Sequence, residues 1–450
     1  MEVTLMQMLA AREERVARQN TLLHAFGKSI VSFSMNIPGP EKDSPLIRRG
    51  FWDGCRALEE KIPPVKILHR EVRTAITGCE ALYVVDCDGL ALKSVTTSIE
   101  DTHGLGRLYD MDVIGPDRVK LDREIVGGKS RDCIVCGAKG RGCASRRTHS
   151  VVQLQQAAHR IFREHYAASD AFDIGRLAVQ CLMEEVHTTP KPGLVDCRNS
   201  GSHTDMGVST FLASANALGA YFRKCAQAGM DTAGKTPRET FLLLRKLGEQ
   251  AEKDMYAATG GVNTHKGAIF TLGVLCGAAG RCWEPDRAWE EETLFREVAA
   301  MTRETMEEDW IRGGNTVGHR LYREYGIRGI RGEVSDGLPS VEKIGLPVFR
   351  DCLARGMDRN FAGVHTLLHL IARVADTNMI ARGGIEGLEA GREAVRKVLE
   401  RGVTREAAEE LDDWFILQNL SPGGCADLLA AVYFTDYLFQ MRKSRTENVQ

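Results

Sequence analysis

The spacing of apolar and polar positions gives the first third of the chain a mixed character. Residues 81–85 and 90–95 are short β-prone runs, and the turn sequence at residues 86–89 between them predicts a hairpin. Residues 108–114 alternate between apolar and polar side chains, which predicts a further strand. This part of the chain is therefore expected to combine strands with helices.

Helical periodicity dominates the remainder. Residues 1–20 and 151–168 predict helices, and beyond them apolar side chains recur at helical spacing in the set Ile174, Leu177, Ala178, Cys181 and Leu182. Residues 267–280 are rich in glycine and alanine and predict a closely packed buried helix. We expect two domains: an α+β domain with a small mixed sheet at residues 1–168, and an all-α helical domain at residues 169–450.

Composition narrows the class of protein. The 59 basic and 61 acidic side chains are interspersed and give a net charge of −2, which argues against a nucleic acid or a membrane as a partner. The most apolar run is too short for a membrane span, and residues 1–20 lack the pattern of a secretory signal. Thirteen scattered cysteines fit reduced thiols, so we expect a cytoplasmic protein.

Two aspartates share one face of the strand predicted at residues 108–114. Asp110 and Asp112 alternate with apolar neighbours, and two carboxylates at this spacing can share a Mg²⁺ ion that bridges phosphate oxygens. His103 and Arg107 lie just upstream and would add a base and a phosphate-binding guanidinium. The alternative is an ordinary half-buried strand with a polar outer face.

A cysteine and histidine cluster follows this strand. The spacing of Cys133, Cys136, Cys143 and His149 suits a tetrahedral zinc site of the Cys₃His type. The alternative is a set of free thiols, because cysteine is abundant in this chain. A structural Zn²⁺ is therefore a possible cofactor.

The helical part is interrupted by a rigid polar segment. Pro190 and Pro192 flank Lys191, which predicts a stiff extended lysine suited to a phosphate group. Glu185 leans towards the apolar face of the preceding helix, and a half-buried acid needs a partner or a function. The segment continues with Asp196, His203 and Asp205, and with Ser202 or Thr204 as the expected N-cap of the next helix. The alternative is an ordinary polar loop between helices.

Four further glycine-linked polar segments occur at residues 259–267, 329–333, 376–384 and 419–427. The first precedes the predicted buried helix, whose N-terminus would offer backbone amides to an anion. Their recurrence predicts one site lined by loop ends. The acids available there for metal binding and for base catalysis are Glu185, Asp196, Asp205, Glu333 and Asp376.

At these motifs the sequence resembles two families of citrate lyase maturation. Residues 170–442 resemble triphosphoribosyl-dephospho-CoA synthase through the motifs at residues 189–196, 203–206, 263–267, 331–333, 376–378 and 421–424. Residues 1–168 resemble holo-acyl-carrier-protein synthase, a phosphoribosyl-dephospho-CoA transferase, through residues 11–15, 37–40, 106–113 and the cysteine and histidine cluster. The chain is similar to the fused, bifunctional form.

The resemblance implies two coupled reactions. The helical domain would join the triphosphoribosyl group of ATP to 3′-dephospho-CoA with release of adenine. The N-terminal domain would transfer phosphoribosyl-dephospho-CoA to a serine of the citrate lyase acyl carrier protein, its gamma subunit, with release of pyrophosphate. An Mg²⁺-dependent nucleotide or ribosyl hydrolase fused to a carrier-docking module remains the alternative.

The resemblance also implies roles for the residues. In the N-terminal domain, Asp110 and Asp112 would bind metal, Arg107 would neutralise pyrophosphate and His103 would be a base. In the helical domain, Glu185 or His203 would deprotonate the attacking hydroxyl. Substrate and phosphate contacts fall to Lys191, Asn263, His265, Lys266, Arg331, Glu333, Asn378 and Arg382, with Arg328 as the alternative to Arg331. Mg²⁺ contacts or the orientation of a hydroxyl group fall to Asp196, Asp205 and Asp376.

Overall fold

The computed structural model describes residues 2–140, 142–286, 289–314 and 317–447, which form two compact units. The described residues up to Ala167, with residues 284–286 and 443–447, form the first unit. Residues 168–283 and 289–442 form the second unit.

The described part of the first unit contains five strands and four complete helices. The strands are β1 (Ser29–Met35), β2 (Ile67–Ala75), β3 (Gly78–Val85), β4 (Tyr109–Ile114) and β5 (Lys120–Leu121). The helices are α1 (Leu5–Phe26), α2 (Pro45–Lys61), α3 (Gly89–Thr102) and α4 (Gly142–Arg146). A long helix, α5 (Val151–His187), contributes residues to both units.

The strands of the described chain form one sheet in the order β2-β3-β1-β4-β5. Every pairing is antiparallel, so the α+β class is confirmed, with an antiparallel sheet in place of the mixed one expected. The strand predicted at residues 108–114 is confirmed as β4. The end of α1 packs on one face of the sheet in a core of Leu22, Leu23, Ile30, Leu82 and Val84.

The predicted hairpin is wrong, because residues 90–95 belong to α3. The turn is a helix start instead: the Asp88 carboxylate accepts the backbone N–H of Ala91 at 2.9 Å and caps the helix. The helix then buries Leu92 and Ile99 on the same face, whereas seven positions along a strand would place them on opposite faces. Asp88, a residue type common at the N-cap of a helix, was the sequence signal for this helix, and the β-prone composition of residues 90–95 outweighed it in the prediction.

The second unit is helical throughout its described part, which confirms the all-α expectation. Its helices after α5 are α6 (Val208–Ala217), α7 (Gly219–Asp231), α8 (Pro237–Ala258), α9 (Lys266–Arg281), α10 (Glu291–Arg312), α11 (Val317–Tyr325), α12 (Gly329–Ser335), α13 (Leu346–Ala354), α14 (Arg359–Ile371), α15 (Thr377–Arg401), α16 (Arg405–Leu417) and α17 (Gly423–Glu447). Within the described residues, no helix is long and apolar enough to cross a membrane.

The helix α9 is the buried, small-residue helix predicted from residues 267–280. Its residues from Thr271 to Gly280 are all buried. It packs closely on α7, since a Cβ at Gly280 would stand 2.1 Å from the carbonyl oxygen of Ala226. Glycine therefore permits the contact of the two backbones.

The expected N-cap of the helix after the proline segment is wrong. Helix α6 begins at Val208 with Gly207 at the cap position, beyond both Ser202 and Thr204. The Ser202 hydroxyl instead donates to the carbonyl oxygen of Leu420 at 2.7 Å. Ser202 thus ties the polar segment to the loop before α17.

Candidate active sites

Two aspartates hold the proline-flanked segment of the second unit in place. The Asp196 carboxylate accepts backbone N–H groups of Lys191 at 2.8 Å, Arg198 at 2.7 Å and Asn199 at 3.2 Å. The buried Asp412 of α16 accepts the Gly193 N–H at 2.9 Å. These contacts give Asp196 a role in shaping the backbone, which its position in the sequence did not reveal.

Asp412 also receives the side chains of two neighbours of Asp196. The Asn199 amide donates to it at 2.7 Å and the Arg198 guanidinium at 2.6 Å. Together with the Gly193 N–H, these donors fix the position of the buried carboxylate. Asp412 was missed in the sequence because it stands within a regular helix, far along the chain from the segment that it anchors.

Lys191 is buried rather than exposed on a stiff loop. Its side chain is 1% exposed, and its amine forms an ion pair with the Glu185 carboxylate. The amine also donates to the Glu185 carbonyl oxygen at 2.8 Å. Burial raises the pKa of Glu185, and the neighbouring Lys191 opposes that rise. The pair forms the charged inner wall of a cavity.

This cavity has a volume of about 660 Å³ and is lined by loop ends and helix N-termini, as the recurrence of glycine-linked segments predicted. Ten of the residues chosen from the sequence line it: Glu185, Lys191, His203, Asn263, His265, Lys266, Glu333, Asp376, Asn378 and Arg382. Among its described lining residues, Asp196, Asp205 and Arg331 do not occur. Arg328 lines the cavity in place of Arg331, and its guanidinium forms an ion pair with Asp336.

Two of the cavity acids are held by donors from their own surroundings. Asp376 caps α15 and accepts the backbone N–H groups of Asn378 at 2.8 Å, Met379 at 3.2 Å and Cys425 at 2.8 Å. Glu333 accepts the Ser340 hydroxyl at 2.7 Å. Burial raises the pKa of both carboxyl groups, and these donors oppose the rise.

His203 uses both ring nitrogens within the wall of the cavity. The Arg382 guanidinium lies 3.2 Å from Nδ1, and the Ser421 hydroxyl lies 2.9 Å from Nε2. Because arginine only donates, Nδ1 is the acceptor, and the neutral ring carries its proton on Nε2. Burial and Arg382 lower the pKa of His203. The geometry therefore leaves no free lone pair for the base role assigned to His203 from the sequence.

His265 is 3% exposed and lies at the start of α9. Its Nδ1 is 2.7 Å from the Ser214 hydroxyl, which in turn accepts the Thr264 hydroxyl at 2.8 Å. Nε2 has no hydrogen-bond partner within the described chain. Burial lowers the pKa of His265 to about 3, so the ring is neutral and suited to a hydrogen bond rather than to charge pairing with phosphate.

A second cavity, of about 1010 Å³, lies in the first unit and contains the aspartates of β4. Asp110, Asp112 and Arg107 line it as predicted. The basic residues that share the lining and that were not chosen from the sequence are Lys42, Lys93, Lys120, Arg123, Arg131 and Arg147. Lys120 pairs with Asp112 at 2.6 Å. Burial and the neighbouring Asp112 raise the pKa of Asp110, and Lys120 and Arg131 oppose the rise.

Side chains replace a partner strand along the outer edge of β4. Arg131 donates to the Tyr109 carbonyl oxygen at 2.7 Å, Glu100 accepts the Met111 N–H at 2.8 Å, and Lys93 lies 3.3 Å from the Met111 carbonyl oxygen. Arg131 also pairs with Glu100 at 2.5 Å. Lys93 is only 4% exposed. The edge is thus satisfied while β5 remains short, which keeps the cavity open beside Asp110 and Asp112.

The predicted grouping of His103 with the aspartates is wrong. Asp110 and Asp112 pair with Ser34 and Ser32 of β1, whereas His103 packs on Tyr109, whose side chain points to the opposite face of the strand. Its Nδ1 accepts the Leu105 N–H at 3.1 Å. Adjacency in sequence did not place His103 beside the pair, because successive strand residues face opposite ways.

The ligand atoms of Cys133, Cys136, Cys143 and His149 all lie within 4.8 Å of one another, so the cluster could hold a metal ion. The Cys136 sulfur is 3.6 Å from that of Cys143 and 3.3 Å from Nε2 of His149. Backbone N–H groups of Cys136 and Val135 lower the pKa of Cys133 to about 7, which favours the thiolate that a metal needs. Cys133, Cys143 and His149 also line the cavity of the first unit.

Comparison with known families gives each part of the chain a chemical class. Residues 3–165 match the family model of apo-citrate lyase phosphoribosyl-dephospho-CoA transferase, and residues 171–446 match that of ATP:dephospho-CoA triphosphoribosyl transferase. Both families are transferases, so the molecule is a bifunctional transferase. The chain belongs to the family in which these two enzymes of citrate lyase prosthetic-group synthesis are fused.

Full-length relatives have the same arrangement. Protein CitXG of Haemophilus influenzae is 31% identical over 96% of this chain and 96% of its own length, and a CitXG protein of Leuconostoc mesenteroides has the same identity and coverage. A probable 2-(5″-triphosphoribosyl)-3′-dephosphocoenzyme-A synthase of Vibrio cholerae is 40% identical over 60% of this chain and 90% of its own length. The first two span both units.

Proposed function

We propose that residues 169–450 form 2′-(5″-triphosphoribosyl)-3′-dephospho-CoA from ATP and 3′-dephospho-CoA and release adenine. The observation that carries this proposal is the cavity of the second unit, where cations and carboxylates from separate loop ends surround one space. A triphosphate that is kept through the reaction needs cations, and the ribosyl carbon from which the base departs needs a nearby carboxylate.

The phosphate groups bind at the cationic side of this cavity. Lys266 stands at the first position of α9, where free backbone N–H groups and the helix dipole favour an anion. Arg328 and Arg382 add guanidinium groups. Lys191 supplies a fixed positive charge from the inner wall, although Glu185 already shares it.

A divalent cation, Mg²⁺, completes the phosphate site in this proposal. Asp376 is the acid among the three predicted metal ligands that lines the cavity. Its three backbone donors fix the carboxylate and leave about one of its roughly four acceptor sites, which a hard cation would use. Asp196 shapes the loop instead, and Asp205 is exposed outside the cavity.

Residues 1–168 then transfer phosphoribosyl-dephospho-CoA to a serine of the citrate lyase acyl carrier protein and release pyrophosphate. Asp110 and Asp112 would hold a Mg²⁺ ion, whose positive charge would offset the repulsion of the two carboxylates and attract the phosphate groups. Arg107, Arg123 and Arg131 line the same cavity and neutralise the leaving pyrophosphate.

The cysteine and histidine cluster binds a structural Zn²⁺ in the proposal. Tetrahedral ligands with Zn–S bonds of about 2.3 Å stand roughly 3.8 Å apart, close to the sulfur–sulfur separation of 3.6 Å. A metal there would fix the segment that carries Arg131. The cytoplasmic location expected from the reduced cysteines is part of the same proposal, since both reactions use cytoplasmic metabolites.

Mass spectrometry of an apo acyl carrier protein tests the function. The carrier is incubated with the full chain, ATP, 3′-dephospho-CoA and Mg²⁺, and it should gain the phosphoribosyl-dephospho-CoA mass. A parallel reaction without 3′-dephospho-CoA measures adenine release from ATP. Equal adenine release in both reactions would identify a hydrolase and contradict the synthase assignment.

A further inference from the structure

The cavity of the second unit contains an acid that was not selected as a site residue from the sequence. Asp427 lies in the first turns of α17 and lines the cavity. Its carboxylate lies over the start of α9: a Cβ at Gly267 would stand 1.9 Å from its Oδ2 atom. The absence of a side chain at Gly267 is therefore what admits the carboxylate at this position.

Asp427 differs from the other cavity acids in its partners. Glu185 pairs with Lys191, and Asp336 pairs with Arg328. Glu333 accepts two hydrogen bonds from Ser340, and Asp376 accepts three from backbone N–H groups. Asp427 receives the backbone N–H of Ala268, so among the described acids of the cavity it shares with Glu185 the smallest number of hydrogen-bond donors, and unlike Glu185 it has no cationic partner among the described side chains.

The surroundings of Asp427 suit proton transfer. Burial and the nearby carboxylates Glu185 and Asp376 raise its pKa well above the usual value for aspartate, while the Ala268 N–H opposes the rise. A carboxylate whose pKa is raised is a stronger base than a free aspartate and accepts a proton more readily. Glu185 is less free to do so because its carboxylate is engaged by Lys191.

We propose that Asp427 is the general base of the triphosphoribosyl transfer, accepting the proton of the attacking hydroxyl group. The inference rests on the proposed function of the second unit. Its geometric basis is the carboxylate of Asp427, which lines the cavity of the second unit, has few partners and fits at this position because Gly267 has no side chain.

The step is balanced without a further reactant. The hydroxyl oxygen of dephospho-CoA forms a bond to C1′ of the ribose, and the bond from C1′ to the adenine nitrogen breaks. The electron pair of that bond leaves with adenine. The hydroxyl proton passes to Asp427 and then to adenine, which restores the carboxylate. Before the carboxylate of Asp427 accepts the proton, its negative charge also stabilises the oxocarbenium-like ribosyl carbon.

Asp427→Asn in the full chain tests the assignment, with dephospho-CoA-dependent adenine release as the readout. The kcat should fall by about 10²–10⁴-fold, the range for loss of a general base. The KM for ATP should change by less than about threefold, because the residue acts on the transition state rather than on ATP binding. The acidic limb of the pH profile of kcat should disappear, since the carboxylate must be deprotonated to act.

Asp358→Asn is the matched control. Asp358 is exposed, lies outside the cavity and caps α14 through the Phe361 N–H at 3.0 Å. Asparagine caps helices as well as aspartate does, so this variant should keep the wild-type kcat. It shows what the same chemical change does elsewhere in the second unit.

Gly267→Ala is an independent test that keeps the aspartate. The new methyl group must displace the Asp427 carboxylate, so kcat should again fall while the residue is intact. This variant decides the matter if Asp427→Asn does not fold, and unfolding midpoints of both variants identify that case. A kcat within about threefold of wild type in the folded Asp427→Asn protein would overturn the assignment.

A raised KM with unchanged kcat would also overturn the assignment, because it would indicate binding alone. Failure of the proposed function is distinguishable from failure of this inference. If the wild-type chain shows no adenine release that depends on dephospho-CoA, the proposed function fails. If the wild type reacts and the variants react equally, only the assignment of Asp427 fails.

Discussion

The two cavities combine similar residue types but stabilise them in different ways. In the second unit, the central charges are buried and paired: Lys191 with Glu185, and Asp376 with three backbone N–H groups. In the first unit, Asp110 and Asp112 stand together on an open strand, with Lys120 as a neighbouring cation.

The difference shows two routes to an anion-binding site. A site whose central charges are buried and paired is prepared by the fold before a ligand enters, so these charges cannot be removed singly without cost. An open carboxylate pair surrounded by basic residues depends on added cations for its final geometry. We therefore expect mutations in the second unit to reduce stability and activity together, and mutations in the first unit to reduce activity alone.

Replacement of Lys191 should have the largest effect. Lys191→Met leaves the Glu185 carboxylate buried without its partner, a change that costs about 3–5 kcal/mol when one member of a buried pair is removed. Chemical denaturation should show this loss in the second unit, and adenine release should fall below detection. Lys397→Met, at a lysine side chain that is 59% exposed, is the control and should change neither quantity. An unchanged free energy of unfolding in the Lys191 variant would contradict the claim that the buried charges of the second unit depend on their pairing for stability.

Replacement of the open aspartate pair should separate the two activities. Asp110→Asn should lower carrier modification from supplied triphosphoribosyl-dephospho-CoA by roughly 10²-fold, the scale of losing a charge-stabilising group, while leaving the unfolding midpoint unchanged. Adenine release from ATP should remain at the wild-type rate. The reaction rate is measured against Mg²⁺ concentration, and a higher Mg²⁺ requirement in the variant would support metal binding by the pair. An equal loss of both activities would contradict independent sites.

Loss of the metal cluster should have an intermediate effect confined to the first unit. Cys136→Ser should lower the zinc content of the purified protein and weaken carrier modification by about 10-fold, because cluster ligands line the cavity beside Arg131. Elemental analysis and the transfer assay measure the two quantities. Cys197→Ser, at an exposed cysteine outside the cluster, is the control and should change neither quantity. A wild-type protein that contains no zinc and has full transfer activity would contradict a role of the metal cluster in the first unit.

Replacement of His103 should have the smallest effect. His103→Asn keeps an acceptor near the Leu105 N–H and changes nothing on the face of β4 that carries Asp110 and Asp112. Carrier modification should stay within about threefold of wild type, less than the 10²-fold or more expected for a general base. A fall in carrier modification of more than about threefold would show that the face of β4 next to His103 takes part in the transfer.

Periodicity and local motifs predicted the elements that depend on neighbouring residues. The buried helix at residues 267–280 and the strand that carries Asp110 were both confirmed. The hairpin failed because residues 90–95 are β-prone in composition yet follow a helix cap at Asp88. Local propensity is weak, and a cap combined with burial on one helical face outweighs it.

The motif segments identified which loops meet at the cavity of the second unit, because polar, glycine-linked interruptions of regular helices mark places where the backbone must be held for a ligand. They did not show which side chains remain free. Asp196, for example, looks like a metal ligand in its motif but accepts three backbone N–H groups in the fold.

The sequence established the two-part organisation, the family resemblance and ten of the residues that line the cavity of the second unit, since these depend on patterns that lie close together along the chain. The availability of each acid depends on distant partners: Asp412 holds Asn199 across 213 positions of the sequence, and Asp427 reaches the backbone at Gly267. Burial and pairing arise when helices remote in sequence pack together. The packing separated the residues that shape the loops from those free to meet a substrate.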